Sequence, residues 1–230
     1  MNKEQFGKVM ENRIFDMDFN YATVSNLCYE AKEFNMAAVQ VFPTMINMCK
    51  EVLEGSDVKI AIGISYPHGG LSPQQKVFEI KDAIAKGANE VEICFNSRET
   101  LSENYDFVLD EFKTVIAAVP KGITSKIMIE TEWLKDDMIA KVTELVLEAG
   151  ADYIITSTGL WFELDKNKND VGIKTTVKEI KLIKSIVKDK VKIQAQGNID
   201  SAKLAIDLLN AGADRISTRF AAKIMREYKG

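Results

Sequence analysis

Three short runs of this chain place ionisable or amide side chains two residues apart. Glu92 and Cys94 alternate within Glu90–Phe95. Lys126, Met128 and Glu130 alternate within Lys126–Glu130, and Lys192, Gln194 and Gln196 within Lys192–Gln196. A period of two puts each set on one face of an extended segment. If the three segments are strands of one closed sheet, Glu92, Lys126, Glu130 and Gln194 converge on one polar cluster. A carboxylate there, Glu92 or Glu130, is suited to move protons as acid or base, with Lys126 as its electrostatic partner. The competing reading is a structural salt-bridge network, because a buried charge must be paired and structural pairs perturb titration as functional ones do. Several charged residues facing one interior favour the functional reading.

A second group lies nearer the C-terminus, in Gly197-Asn198-Ile199-Asp200 and Thr218-Arg219-Phe220-Ala221. Gly197 lets backbone approach a ligand, Ser201 can open a helix whose N–H groups face an anion, and Arg219 can grip a phosphate with two donors. A tight turn at Gly197 and an acid partner for Arg219 explain the same residues equally well. His68 is the only histidine and cannot supply a His-rich metal site; acid–base work and loop positioning both suit it. Cys94 reads as core packing. Trp133 and Trp161-Phe162 suggest an apolar lid or a subunit contact. No ligand cluster calls for a metal, and no cofactor is expected.

The elements that must hold these residues are legible. Gly87-Ala88-Asn89, Gly150-Ala151-Asp152 and Gly212-Ala213-Asp214 each follow a helical period and precede a short β-favouring run. That is helix, left-handed glycine cap and buried parallel strand, three times over. Ser72-Pro73-Gln74-Gln75 and Thr176 with Glu179 are capping boxes, and Ser201 can cap a further helix. Eight strands are expected: Arg13–Phe15, Ala37–Val41, Lys59–Ile64, Glu90–Phe95, Lys126–Glu130, Tyr153–Thr156, Lys192–Gln196 and Arg215–Ser217. Eight βα units in 230 residues predict a (β/α)8 TIM barrel as a single domain over 1–230, with 1–12 as an N-terminal helical extension. The runner-up, an open doubly wound sheet, lacks a G-x-G-x-x-G after the first strand.

Composition narrows the functions. Net charge is −4, so no basic excess draws a nucleic-acid backbone. The Lys-rich run Lys166–Lys192 is interrupted by acids and reads as a solvated helix face. No segment approaches a membrane span, and Met1–Met10 has no signal-peptide core. Three cysteines without CxxC spacing point to a reducing, cytoplasmic setting.

From about Val9 to Met225 the chain resembles the deoxyribose-phosphate aldolases. Ile129-Glu130-Thr131 with Leu134-Lys135-Asp136, and Thr156-Ser157-Thr158-Gly159, carry the resemblance most specifically. It implies a barrel with its site at the C-terminal strand ends, a small sugar or sugar phosphate as ligand, and, since such barrels are often dimers, a homodimer. It places the family's strand-four proton-relay carboxylate at Glu92 and its Schiff-base lysine at Ile155. A second, pKa-lowering lysine falls on Gln194. The Gly-Gly phosphate turn keeps Gly197 beside Asn198, and the phosphate-loop serines are replaced in Ser217-Thr218-Arg219-Phe220. Thr158 and Gly159 remain in the strand-six loop. Isoleucine has no amine, so no imine forms at position 155. The expected function is therefore an aldolase-like protein that acts on or binds a small, phosphorylated sugar or aldehyde without ordinary Schiff-base catalysis. A relocated lysine, Lys192 or Lys126, is one alternative; a non-catalytic binding or regulatory barrel is another.

Overall fold

The computed structural model describes residues 1–14, 19–160, 162–164, 170–172 and 174–230, with backbone only for 162–164 and 170–172. A short helix α1 (Lys3–Gly7) precedes β1 (Met10–Arg13). There follow α2 (Tyr21–Glu33), β2 (Ala38–Val41), α3 (Ile46–Val52), β3 (Lys59–Ile64), α4 (Pro73–Lys86), β4 (Glu90–Cys94), α5 (Ser97–Leu101) and α6 (Tyr105–Ala117). Next come β5 (Thr124–Met128), α7 (Asp136–Ala149) and β6 (Tyr153–Ile155). A two-stranded antiparallel ribbon, β7 (Phe162–Leu164) and β8 (Asp170–Gly172), leads to α8 (Val177–Val187). The chain closes with β9 (Lys192–Gln196), α9 (Ala202–Ala211), β10 (Arg215–Thr218) and α10 (Ala221–Glu227).

Eight parallel strands form a closed barrel in the order β1-β10-β9-β6-β5-β4-β3-β2, a (β/α)8 TIM barrel. The strands carry apolar residues such as Val91, Ile93, Ile127, Ile154 and Ile193 toward the helices, where they are fully buried or nearly so. Burial on both faces is what permits an all-parallel sheet. The helices start and stop where the sequence signals lie. Ser72 with Gln75 and Thr176 with Glu179 form reciprocal caps, and Ser201 accepts from the Leu204 amide. Gly87, Gly150 and Gly212 end α4, α7 and α9 in the left-handed conformation.

The N-terminal region differs from expectation. The first strand is Met10–Arg13, not Arg13–Phe15, and the helical extension is only Lys3–Gly7, so residues 10–12 belong to the barrel. The strand was hard to place because Glu11, Asn12 and Arg13 are polar, yet each is at most 2% exposed. The β7–β8 ribbon was not anticipated. Trp161 and the side chain of Phe162, where a lid was expected, lie outside the described residues. The run of lysines reads in its described part as a solvated face, with Lys174–Asp200, Lys178–Asp136 and Lys184–Asp189 pairs.

Candidate active site

Register fixes which side chains meet inside the barrel. Glu92 pairs with Lys126, Lys126 with Tyr153, and Ile155 with Gln194, so these face the lumen together. Lys126 Nζ lies 2.8 Å from Glu11 Oε2, 2.6 Å from Glu90 Oε2, 2.9 Å from Glu92 Oε1 and 2.8 Å from Gln194 Oε1. Gln194 Nε2 donates to Glu11 and Glu92, and Ser217 Oγ donates to Glu11. Arg215 bonds Glu90 at 2.6 Å and approaches Glu11 at 3.5 Å.

In this network three carboxylates face two cations. Burial alone would lower the Lys126 pKa, but Glu11, Glu90 and Glu92 together hold it above the usual lysine range. Glu11 is pulled down to about 2: burial opposes this, and Lys126 and Arg215 outweigh it. Glu92 is pushed up, by burial first and by Glu11 second. One proton on Glu92 resolves the excess carboxylate, and Glu92 Oε2 has no hydrogen-bond partner. Burial and Glu11 thus favour the protonated form of Glu92, and the surrounding carboxylates favour the ammonium form of Lys126.

The next layer toward the C-terminal face is apolar. Cys94, Met128 and Ile155 form one buried cluster with Tyr66 packed on it. Burial pushes the Cys94 thiol well above its usual range. Above them Arg13, 2% exposed, donates to the Thr158 carbonyl at 2.7 Å and to Tyr66 Oη at 2.6 Å. Burial holds the Tyr66 phenol at about 12, so it stays protonated.

Glu130 does not join the lumen network. The chain leaves β5 after Met128, and Glu130 adopts φ 50° and ψ 61°, which turns its carboxylate to the strand-six loop. There it accepts from the Thr158 amide at 2.9 Å and from Thr158 Oγ1 at 3.2 Å. Glu132, two residues on, accepts from Ser157 Oγ. Its carboxyl is pushed up to about 8 by burial and by the charge of Glu130. Gly159 has φ +69°, and a Cβ there would sit 3.0 Å from the Cα of Gly197. A glycine at 159 is therefore what lets the loops after β6 and β9 touch.

The remaining predicted residues are dispersed. Lys192 is exposed at the N-terminal end of β9, with Nζ 5.5 Å from the Tyr153 ring, at the opposite end from the mouth. Thr218 is buried and donates to the Ile199 carbonyl. Asn198 is half-buried, and Arg219 is exposed, with its guanidinium 4.7 Å from the Phe220 ring centroid. His68 offers its carbonyl to Arg98. Glu11, Glu90, Arg13, Tyr66, Glu132 and Ser217 join the site without being among the candidates that alternation and motifs single out. Alternation back from Arg13 would have put Glu11 on its face, and forward from Arg215 would have found Ser217. Among the described residues no group of three His, Cys, Asp or Glu could hold a metal ion, and no helix is long and apolar enough to cross a membrane.

Residues 8–218 match the DeoC/LacD family aldolase profile. The chain belongs to the DeoC/LacD aldolase family. This family member is 34% identical over 229 residues to the deoxyribose-phosphate aldolase of Caldicellulosiruptor saccharolyticus, covering 99% of the chain and 100% of the relative. It is also 34% identical to that of Clostridium perfringens strain 13, over 94% of the chain and 92% of the relative. A solved structure of an aldolase designated QR15 superposes with TM-score 0.86 at 32% identity, covering 96% and 95% of the two chains. The tetrameric deoxyribose phosphate aldolase of Aeropyrum pernix shares the fold, with TM-score 0.85 at 22% identity and 98% and 92% coverage.

Proposed function

We propose that this DeoC/LacD family member binds a small phosphorylated sugar or aldehyde at the C-terminal mouth of the barrel, and that any reaction there proceeds without an imine. The observation that carries the reading is the floor of the mouth. Cys94, Met128 and Ile155 occupy it, and no amine stands among them. The resemblance places the Schiff-base lysine of relatives at Ile155 and the assisting lysine at Gln194. Neither remaining candidate is suited to replace them. A nucleophilic lysine must lose its proton, and Lys126 is held charged by three carboxylates and an amide oxygen. Lys192 points into the other end.

Glu92 is the lumen carboxylate best suited to hold a proton, because one oxygen is uncommitted and burial and Glu11 both favour its protonated form; it lies one layer beneath the Cys94–Met128–Ile155 floor, so its acid–base role requires a proton path through that layer. Glu130, with both oxygens on Thr158, serves as a positioning residue. Gly197, Asn198, Thr218 and Arg219 border the loops after β9 and β10, where barrels of this kind take a phosphate, and exposed Arg219 supplies a cation there. A homodimer in a cytoplasmic setting fits the same family reading.

The test is calorimetric titration with 2-deoxyribose 5-phosphate and a panel of sugar phosphates and aldehydes, with product analysis. Saturable binding that weakens in Arg219→Ala is the expected result. Any turnover should fall in Glu92→Gln. A chain that neither binds nor converts any member of the panel contradicts the reading. Binding with no turnover of any member would favour the non-catalytic barrel.

A further inference from the structure

We propose that Gln40, Gln196 and Glu92 recognise a ligand hydroxyl inside the lumen, so that the ligand is a sugar phosphate keeping the hydroxyl next to its carbonyl carbon, not a deoxy sugar. This rests on the sugar-phosphate reading above and narrows it. Gln40 Oε1, Gln196 Nε2 and Glu92 Oε2 each lack a hydrogen-bond partner, on residues at most 4% exposed. A buried polar atom left unpaired is costly, and a ligand that pairs it gains what the folded chain lacks.

The three atoms belong to one region. Gln194 Nε2 donates to Glu92 Oε1 at 2.9 Å and to Gln196 Oε1 at 3.0 Å. Glu92 Oε2 and Gln196 Nε2 are the second polar atoms of those same groups, so both lie close to that nitrogen. Gln194 is fixed in this orientation because Lys126 donates to its Oε1. Gln196 therefore offers its oxygen to Gln194, and its NH2 group is left over. Gln40 pairs in register with Arg13 and with Ala61, and Gly63 pairs with Glu92. Between Gln40 and Glu92, β3 thus turns the small residues Ala61 and Gly63 inward, with Tyr66 packed on Gly63. The Cys94–Met128–Ile155 floor comes from β4, β5 and β6. Gln196, Arg13 and Gln40 come from β9, β1 and β2, the other arc of the barrel. That polar arc supplies a path to Glu92 once Arg13 releases the Thr158 carbonyl and the Tyr66 hydroxyl.

The chemistry of the three atoms selects the ligand group. A hydroxyl has one hydrogen and two lone pairs. Burial and Glu11 favour the protonated form of Glu92, so Glu92 and Gln196 offer two donors and Gln40 offers one acceptor. One hydroxyl satisfies all three. A carbonyl or an ionised phosphate oxygen has no hydrogen for Gln40, and a methylene satisfies none of them. A site built to bond a hydroxyl rejects the analogue without it, because its own polar groups then stay unpaired.

The experiment is calorimetric titration of the full chain with two matched pairs: ribose 5-phosphate against 2-deoxyribose 5-phosphate, and glucose 6-phosphate against 2-deoxyglucose 6-phosphate. In at least one pair the hydroxylated sugar should bind at least about tenfold tighter. Gln40→Met and Gln196→Met should each cut that preference to below about threefold, by weakening the hydroxylated sugar. Gln40→Met removes an unpaired oxygen, so Tm should stay unchanged or rise, an outcome that a purely structural glutamine would not give. Equal affinities within both pairs, or a preference that survives both variants, overturn the inference and leave the sugar-phosphate reading standing. Binding of none of the four sugars also overturns it, and the wider panel above then decides the reading on which it rests.

Discussion

The lumen holds two layers, one strand pair-step apart, that solve burial in opposite ways. The layer around Lys126 packs three carboxylates and two cations out of water and satisfies them with one another. The layer above it, Cys94, Met128 and Ile155, carries no charge at all and is covered by Arg13. On the proposed reading, the lysine inside this barrel is a structural cation and not a nucleophile. Lys126 lies about 6–7 Å below the Ile155 level, and its neighbours keep it an ammonium. Reactivity would require the reverse arrangement, a lysine in apolar surroundings with a second cation near it.

The largest expected effect comes from breaking the charged layer. Lys126→Met leaves three carboxylates without their shared partner, and removal of one member of a buried pair costs about 3–5 kcal/mol. Urea denaturation should show that loss. A change below about 1 kcal/mol would mean the network is not the barrel's internal tie. Next comes the cover of the apolar layer. Glu130→Ala leaves the buried Thr158 amide without its acceptor, at a cost of about 1–3 kcal/mol, and should raise the amide exchange rate at Thr158 and Gly159. Unchanged exchange would show that another group holds the loop.

How much of this was readable from the residues depends on where regular structure ends. Period two predicted that Glu92, Lys126 and Gln194 would meet, and they do. The same alternation failed at Glu130, because the strand stops at Met128 and the backbone turns left-handed two residues later. The capping boxes and glycine caps placed the helices, since their chemistry is local. The first strand was misplaced because its inward residues are Glu11 and Arg13, and a buried ion network imitates a surface segment in sequence. Arg13 as the cover of the mouth depends on Tyr66 and Thr158, which are 53 and 145 residues away, and no local pattern announces it.

A third prediction concerns pH and separates the mouth from the lumen. Glu132 has its folded pKa raised from 4.5 to about 8. Its contribution to stability is therefore fully present below about 4.5 and is lost as pH rises through about 8. Glu11, lowered to about 2, behaves oppositely: its contribution is present above 4.5 and lost as pH falls through about 2. Denaturation free energies of Glu132→Gln should lose the decline between pH 5 and pH 8 and leave the acid limb intact. An unchanged alkaline slope would place the titrating group elsewhere. The smallest effect is expected at the surface near the phosphate turn. Lys174→Ala removes the exposed Lys174–Asp200 pair, 2.6 Å long, and should cost less than about 1 kcal/mol. A larger loss would show that this loop is coupled to the lumen.

On the proposed reading, the native mouth contains no imine-forming amine. Incubation of the full chain with acetaldehyde or 2-deoxyribose 5-phosphate, followed by borohydride reduction and peptide mass analysis, tests it directly. No reduced adduct is expected on Lys126 or Lys192 in the native chain, and an adduct is expected at position 155 in the Ile155→Lys, Gln194→Lys double variant. A stoichiometric adduct on Lys126 in the native chain would contradict it.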